Sequence, residues 1–328
     1  MSIYNFVLTH TGISHREKNL FNQDSVGCYC IHNSLGKKIY LNIVADGVSA
    51  CKYAGEASTF LQEVSVHVFV TRCENNENYT LNLVEFKDCV EEIFEKYKVM
   101  IEKNKSQFLD YGSTLELVAI QDESAYVLHA GDGLILAVQE DGNVLLTDTE
   151  KHTGEYGSQV IPFFVKSKWE FIEIGNIAAI LVASDGVYDE IVPTSARRLS
   201  SKFDLSLLIP CIDSRVHKND ISHKRFLDSY ITGNLSDEIM YYKCSQLICK
   251  KVITGKDDET IKRHFIQNVP YKKNVRSRDD LSVTLWGNTE FLPDNYDITE
   301  HLPNYRKQWE MERKLNKDRA LSQQQEIL

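Results

Sequence analysis

The chain has 328 residues, 42% hydrophobic and 26% charged, an ordinary globular composition sufficient for one large domain or two modest ones. A net charge of −10 with a pI near 5.5 argues against a nucleic-acid-binding surface, which carries a basic stripe, and no apolar run has the length of a membrane span. The start, Met1-Ser2-Ile3-Tyr4-Asn5, lacks the basic and apolar segments of a signal peptide, so a cytoplasmic protein without membrane or nucleic-acid partners is expected.

Ile3 to His10 reads as a strand and Ser25 to Ile31 as a second. Lys38 to Ala45 is a third, almost continuously apolar and so expected to be buried on both faces. After Asp46-Gly47, the spacing of Ala57, Phe60, Leu61, Val64 and Val68 predicts a helix over Gly55 to Cys73. A second amphipathic helix is predicted over Leu83 to Lys103, with Cys89, Val90, Ile93, Tyr97 and Ile101 on its apolar stripe. Strands then follow closely: Ser113 to Gln121, Ala125 to Ala130, Leu134 to Gln139 and Val144 to Thr147. Glu140-Asp141-Gly142-Asn143 between the last two is a hairpin signal, and Gly175-Asn176 joins a further pair, Glu170 to Ile174 and Ile177 to Ser184.

From Pro193 to Gln267 the pattern becomes helical, including Ser236 to Val252, before a final strand at Leu281 to Trp286. Residues 1–287 are therefore read as one domain with a helical insert at about 193–267. Residues 288–328 form a polar tail, an exposed helix or a disordered end, in which only Leu302, Tyr305 and Trp309 make a narrow apolar stripe. Neighbouring strands are joined by hairpins rather than by helices. That predicts an α+β fold: two mainly antiparallel sheets packed face to face and flanked by helices, a four-layer α-β-β-α sandwich.

The eight cysteines show no Cys-x-x-Cys pairing, and none sits in a Cys-x5-Arg phosphate loop, so free thiols in a reducing compartment are expected. Five aspartates carry more information: Asp24, Asp46, Asp132, Asp185 and Asp279 each lie at the end of an apolar or β-rich run. Carboxylates are poor strand formers and costly to bury, so these runs deliver acids to the rim of a sheet. Several such rims converging need divalent cations, and hard oxygen donors select Mg²⁺ or Mn²⁺. Taken singly, Asp46-Gly47 and Asp185-Gly186 are also ordinary turn sequences, Asp280 is an alternative to Asp279, and His129 reads as a satisfied sheet residue.

In order along the chain, Gly12-Ile13-Ser14-His15 with Asn22-Gln23-Asp24, Val44-Ala45-Asp46-Gly47, Gly112-Ser113-Thr114-Leu115, His129-Ala130-Gly131-Asp132, Ser184-Asp185-Gly186-Val187 and Asp279-Asp280-Leu281-Ser282-Val283 resemble the metal-dependent protein phosphatase 2C family, from about Asn5 to Trp286. The stretch from Ala45 to Tyr53 is most similar to a bacterial branch of it. The resemblance implies that Asp46 bridges two Mn²⁺ or Mg²⁺ ions and that the Gly47 carbonyl binds one of them. It also implies that Asp185 and Asp279 complete the ligands of the ion holding the attacking water, that Asp24 acts through waters of the other ion, and that Asp132 helps bind a third. Two cations roughly 3.5–4 Å apart lower the pKa of a bridging water and neutralise the phosphoryl oxygens, so no covalent intermediate is needed.

Three positions depart from the family pattern. Val48 stands where a histidine general acid is frequent, which leaves water or His15 to protonate the leaving group. Gly133-Leu134 follows Asp132 in place of Ser-Arg. Arg16 lies in the region of the arginine that holds the substrate phosphate. The implied activity is hydrolysis of phosphoserine and phosphothreonine in a protein substrate, paired with a serine/threonine kinase. A catalytically silent phosphatase-like binding module, or a phosphatase of a small phosphorylated metabolite, are the alternatives.

Overall fold

A computed structural model describes residues 3–147, 160–187, 209–213, 215, 222–232, 279–294 and 296. Among the described residues, ten strands make two five-stranded sheets. The first contains β1 (Ile3–His10), β6 (Leu134–Gln139), β7 (Val144–Leu146), β9 (Ile177–Ala183) and β10 (Leu281–Asn288), in the order β1-β10-β9-β6-β7. The second contains β2 (Ser25–His32), β3 (Lys38–Ala45), β4 (Leu115–Gln121), β5 (Ser124–Ala130) and β8 (Glu170–Ile174), in the order β2-β3-β4-β5-β8. Every pairing is antiparallel, as the hairpin signals implied.

The layers follow from which face of each strand is apolar. Val44, Val118, Ile120 and Val127 of the second sheet meet Ile135, Ile180, Val182 and Trp286 of the first, forming the core between the sheets. Each such aliphatic side chain contributes roughly 1.5–3 kcal/mol on burial. Outside the second sheet lie the helices α2 (Ala54–Asn75) and α3 (Leu83–Lys103), after the short α1 (Ile13–Glu17). The α3 start is capped by Asn82, whose side chain accepts from the Val84 and Glu85 amides, and its stripe of Phe86, Cys89, Val90, Ile93, Tyr97 and Ile101 is buried. Outside the first sheet, α4 (Ile209–Ile212) and α5 (His223–Ile231) bring Ile209, Ile212, Phe226 and Leu227 against Leu136, Leu181 and Leu285. The result is the four-layer α-β-β-α sandwich.

One boundary differs from the expectation. The fold does not end at Gly287: β10 runs to Asn288, and Leu292 and Tyr296 are buried in the core outside the first sheet. Polarity of the tail as a whole concealed these few apolar residues. Of the helical insert, α4 and α5 are described, whereas Ser236 to Val252, like the tail stripe at Leu302, Tyr305 and Trp309, lies outside the described residues.

Candidate functional site

Strand register explains why distant acids meet. Ser25 pairs with Ala45, Leu115 with Ala130, and Ala183 with both Leu134 and Val283. These pairs are the last or nearly the last rungs at one edge of the sandwich. Asp24 and Asp46 step off the ends of β2 and β3, Asp132 joins β5 to β6, Asp185 follows β9, and Asp279 precedes β10. Asp46, Gly47, Asp132, Asp185 and Asp279 line one cavity of about 500 Å³ together with Thr114, and among the described residues no Lys, Arg or His lines it. Val48, Cys51, Leu109, Pro162 and Phe164 supply an apolar wall.

The backbone that carries Asp46 is held at both ends of the residue. Its amide donates to Thr114 Oγ1 at 3.0 Å, and its carbonyl accepts from the Thr114 amide at 2.8 Å. Gly47 comes so close to its surroundings that a Cβ would lie 2.8 Å from the Ala54 backbone and from the Gln23 carbonyl oxygen, so only glycine fits. The Gly47 amide in turn donates to Gln23 O at 3.2 Å, which ties the Asp46 loop to the Asp24 loop.

The electrostatics are those of like charges gathered together. Asp24 lies beneath the cavity, with both carboxylate oxygens buried and neither in hydrogen-bonding geometry. Burial, aided by the charge of Asp280, raises its pKa to about 7, while the Asp46, Ser282 and Ser184 side chains beside it pull the other way. Burial likewise raises Asp46 well above the ordinary carboxylate range, with Asp24 and Asp185 adding to it. Asp132 is raised to about 8, first by burial and then by Asp185. Among the described residues no three His, Cys, Asp or Glu side chains close on one point as a preformed cage. An open rim of carboxylates suits Mg²⁺ and similar ions, which keep several waters and take only one or two carboxylates each. Unpaired buried oxygens and raised carboxyl pKa values together fit a site completed by hard cations.

His15 and Arg16 are not brought to this cavity. Both lie on α1; Arg16 is exposed, and His15 is buried with Nδ1 2.8 Å from Asp280 Oδ2. Asp280 also accepts from the Gly12 amide at 2.7 Å and the Gln23 amide at 2.6 Å. The two acids of the Asp279-Asp280 doublet are therefore divided: Asp279 faces the cavity, and Asp280 fastens the loops around Gly12 and Asp24 to the start of β10. Thr114 was not singled out from the sequence as part of the site, and Asp280 was considered only as an alternative ligand to Asp279. The signals available were the Gly-Ser-Thr-Leu motif and the doublet itself.

The model of the protein phosphatase 2C family matches residues 11–218, more than half of the chain. The chain belongs to the protein phosphatase 2C family. It is thus a phosphatase of a family that acts on phosphoproteins and generally depends on Mn²⁺ or Mg²⁺. Similar solved structures include a serine/threonine phosphatase of S. agalactiae, 16% identical over 87% of this chain and 99% of that one, with a TM-score of 0.46. Stp1 from Staphylococcus aureus is 14% identical over 88% of this chain and 96% of that one, with a TM-score of 0.47. The phosphatase PstP/Ppp from Mycobacterium tuberculosis is 14% identical over 88% and 99%, with a TM-score of 0.46. Likeness of this degree says nothing about substrate. No curated protein matches the sequence. Among the described residues of this phosphatase, no helix is long and apolar enough to cross a membrane.

Proposed function

We propose that the phosphatase hydrolyses phosphoserine and phosphothreonine in proteins with Mn²⁺ or Mg²⁺ held by Asp46, the Gly47 carbonyl, Asp185 and Asp279. Asp24 supports the cations from beneath through water, and Asp132 belongs to a further, weaker site. The observation that carries this reading is the convergence of these acids on one sheet edge, with no basic side chain among the described residues lining the cavity. When bound, the cations supply an activated water and neutralise the phosphoryl oxygens.

The chain's own residues divide the remaining work. Thr114 and the packing around Gly47 hold the Asp46 carboxylate and the Gly47 carbonyl in place. Asp280 and His15 hold the Asp24 loop. Among the described residues no histidine lines the cavity, and Val48 occupies the position of the family's frequent histidine, which supports protonation of the leaving group by solvent. A protein substrate is supported by a second groove of about 640 Å³, whose Lys52 and Tyr53 follow directly on Cys51 of the carboxylate cavity. A partner serine/threonine kinase and a cytoplasmic setting belong to the same proposal.

The test is hydrolysis of a phosphothreonine peptide and a chromogenic phosphomonoester, with Mn²⁺ and with chelator. Turnover of both in Mn²⁺ and of neither in chelator is expected. Chelator-resistant turnover sinks the metal mechanism, and turnover of the small ester alone points to a metabolite phosphatase.

A further inference from the structure

Gly133 stands where the resemblance leads one to expect serine, and the structure supplies a reason. A Cβ at position 133 would lie 2.7 Å from the Ala183 carbonyl oxygen and 2.8 Å from Glu116 Cγ. Glu116 fills that space. It sits on β4 between Leu115 and Leu117, which face the helices, so alternation turns it inward between the sheets beside Val118 and Ile120. There it is completely buried, paired in register with His129 of β5, and its Oε2 lies 2.5 Å from His129 Nδ1. Burial lowers the His129 pKa, but the Glu116 carboxylate outweighs it, so the net shift is upward.

The second oxygen is the informative one. Glu116 Oε1 is buried and has no hydrogen-bond partner. It lies 3.3 Å from a Cβ position built on Gly131 and 3.1 Å from one built on Gly133, so it abuts both residues flanking Asp132. Leaving such an oxygen unsatisfied costs on the order of 1–3 kcal/mol or more, which packing against Val118 and Ile120 gives no reason to bear.

We propose that Glu116 is a positioning residue of the carboxylate site: His129 orients it, and its second oxygen accepts a hydrogen bond from the hydration shell of the cation held by Asp132. This rests on the reading of Asp132 as a ligand. Outer partners of metal sites alter affinity or activity by about 10–100-fold. Glu116→Gln keeps the shape and an acceptor for His129, but turns an amide donor toward the Asp132 loop.

The experiment is Mn²⁺ titration of the full chain by calorimetry and electron paramagnetic resonance, with melting of the apo forms in chelator. The parent, Glu116→Gln and Asp132→Asn are compared. Asp132→Asn is expected to remove the weakest Mn²⁺ site. Glu116→Gln is expected to weaken that same site about tenfold or more, leaving the tighter sites and the apo melting temperature near parental. Loss of the site in Asp132→Asn with parental binding in Glu116→Gln overturns the role of Glu116 and leaves the Asp132 reading standing. Parental binding in both overturns both. Uniform weakening of every site with a lowered melting temperature overturns it too, since that is a purely structural effect. Should Glu116→Gln not fold, Glu116→Asp carries the test: it keeps the charge but withdraws the oxygen by one methylene, and unchanged Mn²⁺ affinity there overturns the proposal.

Discussion

His15 and Asp280 form a buried pair, with Nδ1 2.8 Å from Oδ2, although their positions are 265 residues apart. The same carboxylate takes the Gly12 and Gln23 amides, so one side chain at the start of β10 secures the whole segment from β1 to Asp24. Its neighbour Asp279 faces the cavity instead. Adjacent residues at a strand start point in opposite directions, and here that alternation separates a scaffold acid from a site acid.

His15 is accordingly expected to act on stability and not as the proton donor. His15→Gln retains a donor for Asp280 and should keep kcat for a small phosphomonoester within a few-fold, with an unaltered acidic limb in the pH–rate profile. His15→Ala leaves Asp280 short of a partner and should cost about 1–3 kcal/mol. A hundredfold fall in kcat for His15→Gln at parental melting temperature would restore it as a general acid.

Much of this fold was legible because period and turn chemistry agree locally. Lys38–Ala45 and Leu134–Gln139 were recognisable as strands from apolar runs bounded by turn residues, and α3 from its apolar stripe. The acids of the cavity were legible because strand-terminal aspartates are unusual. The roles of Asp280, Thr114 and Glu116 were not, because they depend on partners in other segments of the chain: Gln23, Asp46 and His129. The domain end at Gly287 was missed for a related reason. Leu292 and Tyr296 look like isolated apolar residues until α4 is placed beside them.

Asp46→Asn and Asp185→Asn should each abolish turnover of the phosphomonoester while the chain stays folded. Each substitution removes a ligand and relieves repulsion in the metal-free site, where Asp46 is pushed upward by burial, Asp24 and Asp185. In chelator the variants should melt at or above the parental temperature. Near-parental turnover of either at limiting Mn²⁺ would show that the ligands were assigned wrongly.

The metal-free protein should lose stability as pH rises. Asp24 goes from 3.8 to about 7 and Asp132 to about 8, so both folded-state values lie above the unfolded ones. Their protonated forms add stability that is fully present below about pH 3.8 and is lost as pH passes through 7 and 8. For Asp24 the full span is worth roughly 4 kcal/mol. Calorimetry in chelator from pH 5 to 8 should show the parent falling relative to Asp24→Asn, and Mn²⁺ should stabilise the parent more at pH 8 than at pH 5. A parent-minus-variant difference that does not change with pH would remove the electrostatic account of Asp24.

The residues just past β10 should be needed for folding. Arg215 donates from both Nε and Nη2 to Asp213, which is fully buried, and reaches the Leu292 and Pro293 carbonyls at 3.3 and 2.6 Å. Tyr296 closes this clasp by donating its hydroxyl to Asp213 Oδ2 at 2.6 Å. A chain ending at Gly287 loses the last rung of β10, the burial of Leu292 and Tyr296, and three of these hydrogen bonds, a cost of roughly 5–10 kcal/mol. A chain ending at Asp297 keeps them all. Denaturant unfolding should therefore place the shorter chain far below the parent, and should place Tyr296→Phe, which removes only the hydroxyl, about 1–2 kcal/mol below it. Metal-dependent hydrolysis of the small ester should survive the cut at Asp297 and fail at Gly287 through unfolding. A folded, active chain ending at Gly287 would show that the clasp contributes nothing to the domain.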